Sequence, residues 1–183
     1  MGLVPPYQPS LLRILHGAMV VLVPLAWLSG LLVYSIHDGR FGGWVVRPAG
    51  DWIDIHGTLG VLLWPLALLF VLYAITLGRA RLQQPANGAA LVALTLAVGS
   101  GKLMNEVWLR SGQLHHLVYN LHLLSWVLVA GAALAHVVAV VRRGGMAFAG
   151  SMFQLRRRSH DQPWHWWSQI RAACRRSLCV HLR

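Results

Sequence analysis

The chain has 183 residues, 56% of them hydrophobic and only 11% charged, and its mean hydropathy is +0.54. An ordinary soluble domain, in which about a quarter of the residues are charged, is excluded. The formal net charge is +11, but the basic residues flank apolar runs instead of forming a groove, which speaks against nucleic acid as a partner.

Charges are absent from four long stretches, Ile14 to His37, Ile55 to Gly78, Leu82 to Gly101 and Ser111 to Val141. Each reaches the roughly 20 residues that crossing a bilayer requires. The expected fold is therefore all-α: a four-helix transmembrane bundle over residues 1–145, followed by a basic amphipathic tail over 146–183. The first helix opens near Leu11. Its apolar run is too long for the core of a cleaved signal peptide, so it is expected to stay in the mature chain. The second helix opens near Trp52, and Pro24 and Pro65 are expected only to bend the helices that contain them. The third span is the weakest. Gln83, Gln84, Pro85, Asn87 and Gly88 read as a loop, with helix from near Ala89 past Lys102 toward Val107. The fourth opens near His115. The tail from Met146 mixes apolar and aromatic residues with arginine, and is expected along a membrane surface or against a soluble partner.

Four spans put both termini on one side. That side carries Arg13, Arg79, Arg81, Arg142, Arg143, Arg156, Arg157, Arg158, Arg171, Arg175, Arg176 and Arg183, which is twelve of the sixteen Lys and Arg residues. The other side carries Arg40, Arg47, Lys102 and Arg110, with Asp38, Asp51, Asp54 and Glu106. The positive-inside rule then places both termini in the cytoplasm of a bacterial inner membrane. Trp44, Trp52 and Trp108 suit the outer interface, and Trp164, Trp166 and Trp167 the inner one.

His122 and His136 lie fourteen residues apart in the fourth span. Fourteen helical residues rise about 21 Å in nearly four full turns, so both imidazoles leave the same face at two depths. His16 lies about one turn inside the cytoplasmic end of the first helix, level with His136. His56 lies about one turn inside the outer end of the second, level with His122. A single histidine near a membrane end is ordinarily an interfacial residue. Four that match in two depth pairs, each pair from two helices, suit the axial ligands of two stacked haem irons. His115 and His116 stand a bilayer's thickness from His136, although either could reach a haem propionate or relay protons. His37 reads as loop, and His160, His165 and His181 lie in the tail. His16-Gly17, His56-Gly57, Gly60 and Gly30 could let a flat macrocycle approach the backbone, or serve as ordinary small-residue packing. The two cysteines, Cys174 and Cys179, both lie in the tail. No C-x-x-C-H occurs, which excludes covalent haem attachment. A cytoplasmic tail disfavours a disulfide, and zinc held by Cys174, Cys179, His165 and His181 fits no strong spacing.

With these four histidines the chain resembles the bacterial cytochrome b561 family, which includes the cytochrome b subunits of nickel–iron hydrogenases and formate dehydrogenases. The similarity spans about residues 10 to 170. The segment from Arg142 through Met152 to Pro163-Trp164 looks most like the formate dehydrogenase gamma subunit. The resemblance implies two b haems, one held by His16 and His136, the other by His56 and His122. It also implies a quinone contact through Asn87, although the glutamine and lysine that follow in the family are replaced here by Ala89, Ala90 and Leu91. The implied function is electron transfer across the membrane between a redox-enzyme subunit or carrier protein and the quinone pool, with substrate oxidation left to the partner. The competing expectations are a stand-alone superoxide:quinone oxidoreductase, as in short members of the family, and a haem-free transporter or scaffold.

Overall fold

A computed structural model describes residues 6–42, 48–106, 113–155 and 158–181, and within these the side chains of 113–115, 174 and 176–181 are not described. Trp44 and Trp108 lie outside the described residues.

Among the described residues, six helices follow one another: α1 (Ser10–His37), α2 (Trp52–Ile75), the short α3 (Arg79–Leu82), α4 (Pro85–Met104), α5 (Gln113–Gly150) and α6 (Pro163–His181). A 3₁₀ turn, Ser151–Phe153, joins α5 to the segment before α6. Among the described residues there is no strand. Four of the described helices, α1, α2, α4 and α5, are long and apolar enough to cross a membrane. Large apolar side chains stand exposed along all four, among them Val21, Leu25, Val61, Leu69, Val92, Leu124 and Leu134. Such faces need an apolar solvent, and helices meet that solvent with every mid-chain backbone bond already satisfied.

Local chemistry sets the helix ends. Asp51 caps α2 by accepting from the Asp54 amide at 3.0 Å. Proline has no amide hydrogen to lose at a first turn, so Pro85 opens α4 at its first position. The third span therefore begins four residues before Ala89, and Pro85, Asn87 and Gly88 belong to the first turn of α4 and not to a loop. It ends at Met104. The long α5 breaks at Gly144 and Gly145. Gly145 has φ +63°, and a Cβ on Gly144 would lie 2.6 Å from that of Phe148. Only glycine takes both positions without strain.

The closest backbone packing runs α1 to α2, α2 to α4, and α4 to α5. One apolar cluster joins Met19, Leu63, Ala67 and Leu94; a second joins Leu12, Leu15 and Tyr73. The first draws its buried members from α1, α2 and α4, the second from α1 and α2.

Side chains rather than close backbones tie α1 to α5. At one end Tyr119 donates to Asp38 Oδ2 at 2.6 Å, and Arg40 Nε bonds the same carboxylate at 2.8 Å. The Arg40 guanidinium, then the Tyr119 hydroxyl, hold the Asp38 carboxyl below the usual carboxylate range. Further in, Trp27 and Trp126 stack with centroids 4.3 Å apart and planes 10° from parallel. Each indole Nε1 donates to the other's carbonyl, at 3.1 and 3.0 Å. Trp27→Ala should lower stability by about 2 kcal/mol, losing the ring contact and the indole hydrogen bond to Trp126 O. Thermal unfolding in detergent checks this, and an unchanged midpoint would remove the pair from the architecture.

At the far end the tail folds back on the start of α1. Tyr7 donates to Asp161 Oδ2. Asp161 accepts from Ser10 N at 2.6 Å and from Ser10 Oγ at 2.9 Å. Gln8 reaches Ser151 Oγ at 3.1 Å, and Trp166 Nε1 donates to Ser10 Oγ at 3.0 Å. Trp166 thus turns inward, unlike Trp164 and Trp167, which are exposed.

Candidate functional site

α1, α2 and α5 each contribute histidine to the interior, and the structure brings the four together in two pairs. The His16 and His136 rings stand 6.2 Å apart, tilted by 46°. The His56 and His122 rings stand 6.1 Å apart, tilted by 63°. All four are half-buried. Fourteen residues of α5 separate the pairs, about 21 Å along the helix.

Second contacts decide which ring nitrogen is free. His56 Nδ1 lies 3.0 Å from Ser29 Oγ, and that hydroxyl donates its own hydrogen to Ala26 O at 3.0 Å. His122 Nδ1 lies 3.0 Å from Ser100 Oγ and 3.1 Å from Ala97 O. Ser100 in turn donates to Leu96 O at 2.6 Å. A carbonyl only accepts, so His122 Nδ1 carries the hydrogen. His136 Nδ1 lies 2.9 Å from Asn87 Oδ1, whose amide nitrogen donates to Arg81 O at 2.8 Å. In each case Nδ1 is the donor and the Nε2 lone pair remains available to a metal. His16 Nδ1 is buried with no hydrogen-bond partner among the described residues.

The residues fit a haem iron on three counts. Two imidazoles on opposite sides of one metal, each bonded at about 2 Å, have centroids about 6 Å apart, the separation seen in both pairs. Three of the four rings have Nδ1 engaged, the arrangement that orients a ligating histidine. A Cβ added at Gly17, Gly57 or Gly60 would meet no protein atom within 4 Å, so the backbone beside His16 and His56 is open to a flat group. Gly30 acts differently from that expectation. A Cβ there would lie 3.0 Å from His56 Cε1, so Gly30 makes room for the imidazole itself. Gly101 does the same for His122, at 3.1 Å.

Ser29, Ser100 and Gly101 were not legible as site residues, because a serine or glycine in a span reads as packing. Asn87 has both ends of its amide engaged, by His136 and Arg81. Among the described residues, no three His, Cys, Asp or Glu side chains gather as a metal cluster. The side chains of Cys174, Cys179 and His181 lie outside the described residues. No family model, no curated protein and no solved structure matches the chain.

Proposed function

We propose that the chain is a two-haem b-type cytochrome that carries electrons across a membrane between a redox partner and the quinone pool. The observation that supports this most is the pair of imidazole pairs, 6.1 and 6.2 Å apart, on helices that can span a bilayer. His16 and His136 would hold one haem, and His56 and His122 the other. Haem held by two imidazoles supplies one-electron chemistry without an open position for oxygen. The protein's part is to fix the imidazoles, to exclude water with apolar helices, and to set two centres at two depths. The basic residues at the end that carries the termini support a cytoplasmic placement of that end. The natural redox partner on this reading is a dehydrogenase or hydrogenase subunit or a carrier protein, and Asn87 keeps its place as the candidate quinone contact near His136.

The direct test is the spectrum of the detergent-purified chain. A Soret band and two haem b per chain by pyridine haemochrome are expected. A haem content near zero would end the proposal and leave a haem-free membrane scaffold.

A further inference from the structure

The dipeptide Ser-Gly occurs on α1 as Ser29-Gly30 and on α4 as Ser100-Gly101. Each sits against one imidazole of the same pair, His56 or His122. In both, the glycine is the surface the ring lies on, with a notional Cβ at 3.0 or 3.1 Å from Cε1. In both, the serine is 3% exposed and its oxygen stands 3.0 Å from Nδ1. In both, the hydroxyl hydrogen goes back to a carbonyl of its own helix, three or four residues earlier. A lone pair on Oγ is then left for the imidazole N–H.

We propose that Ser29-Gly30 and Ser100-Gly101 are paired positioning cradles that fix the ring plane and the tautomer of His56 and His122, which makes this centre the more rigidly held of the two. The proposal rests on the two-haem reading. Its basis is a contrast. The other pair has no such cradle: His136 is held by an amide, and His16 Nδ1 has no partner among the described residues. Removing a hydroxyl takes one acceptor away from Nδ1–H, leaving His122 with the Ala97 carbonyl alone, so the imidazole would donate less electron density and its iron would be easier to reduce.

The test uses the purified full-length chain, with redox titration and low-temperature electron paramagnetic resonance of the ferric haems. The haem that disappears in His122→Ala is assigned to the cradled site. Ser29→Ala and Ser100→Ala should each raise the midpoint potential of that haem and move its low-spin signal, with the other haem unchanged. Haem retention at that site should fall about tenfold or more. Ser29→Thr and Ser100→Thr, which keep the hydroxyl, should restore the potential. Gly30→Ala and Gly101→Ala should broaden or shift the same signal by displacing the ring. Ser35→Ala is the control, because Ser35 is also buried and its hydroxyl bonds Leu31 O at 2.7 Å and not a histidine. Equal shifts at both haems, shifts at the other haem only, or no shift in any serine variant would overturn the cradles while leaving the two-haem reading intact. A wild-type chain without haem would overturn both, and the haem assay separates that case from the others.

Discussion

His16→Ala and His136→Ala should each remove one haem, and it should be the same haem; His56→Ala and His122→Ala should each remove the other. Haem content should fall from two per chain to one in all four variants. A double variant within a pair, His16→Ala with His136→Ala, should lose no more haem than either single change. A double variant across pairs, His16→Ala with His56→Ala, should lose both. The expectation follows from geometry: 6.1 and 6.2 Å within the pairs, against about 21 Å between levels on α5. One iron cannot share ligands across the larger distance. Removal of one of the two imidazoles would take away half of the protein's hold on that haem, so loss of that haem alone is the readout. Different haems lost from His16→Ala and His136→Ala would refute the pairing even if both haems are present in the parent chain.

The spans and the four histidines are legible in the sequence because each rests on a one-dimensional signal. A charge-free run of about 20 residues measures a bilayer, and residue spacing along a helix converts directly to depth. The ring contacts of Ser29 and Ser100 depend instead on how two helices are rotated against each other, which no spacing within one helix reports. Asn87 reads as loop in the sequence for a local reason. Polar residues around a proline look like a turn, yet Pro85 is acceptable where no amide hydrogen is needed, and Asn87 then falls on the first turn of α4, within reach of His136. The inward turn of Trp166 was hidden by composition. Three tryptophans in the tail suit an interfacial belt, and only the position of Ser10 shows which of them is bonded inside.

Asp161→Ala should release the tail from α1 and cost about 3 kcal/mol of stability, the range for breaking a buried, charged hydrogen-bond network on one side. Asp161 is 4% exposed, and its carboxylate accepts from Tyr7 and from both the amide and the hydroxyl of Ser10. In the variant, these donors lose their shared acceptor. Burial by itself raises the Asp161 carboxyl, but the bonds from Tyr7 and Ser10 and the charge of Arg13 outweigh it and hold the group below the usual carboxylate range. A carboxyl depressed in the folded state stabilises fully above its unfolded value of about 3.9, and this contribution is lost as the pH falls through the lower folded value. Acidification from pH 7 to pH 5 should therefore leave the tail docked, whereas Asp161→Ala should undock it at any pH. Undocking is read as faster proteolysis after Phe153 and as a red shift of Trp166 emission when its indole leaves Ser10. Ser10 also lies on the helix that carries His16, six residues earlier, so the clasp fixes the end of α1 beneath one histidine pair and not the other. The haem held by His16 and His136 should be lost more readily from Asp161→Ala, and the haem held by His56 and His122 should be retained. Unchanged proteolysis and equal loss of both haems would show that the tail rests on α1 without anchoring it.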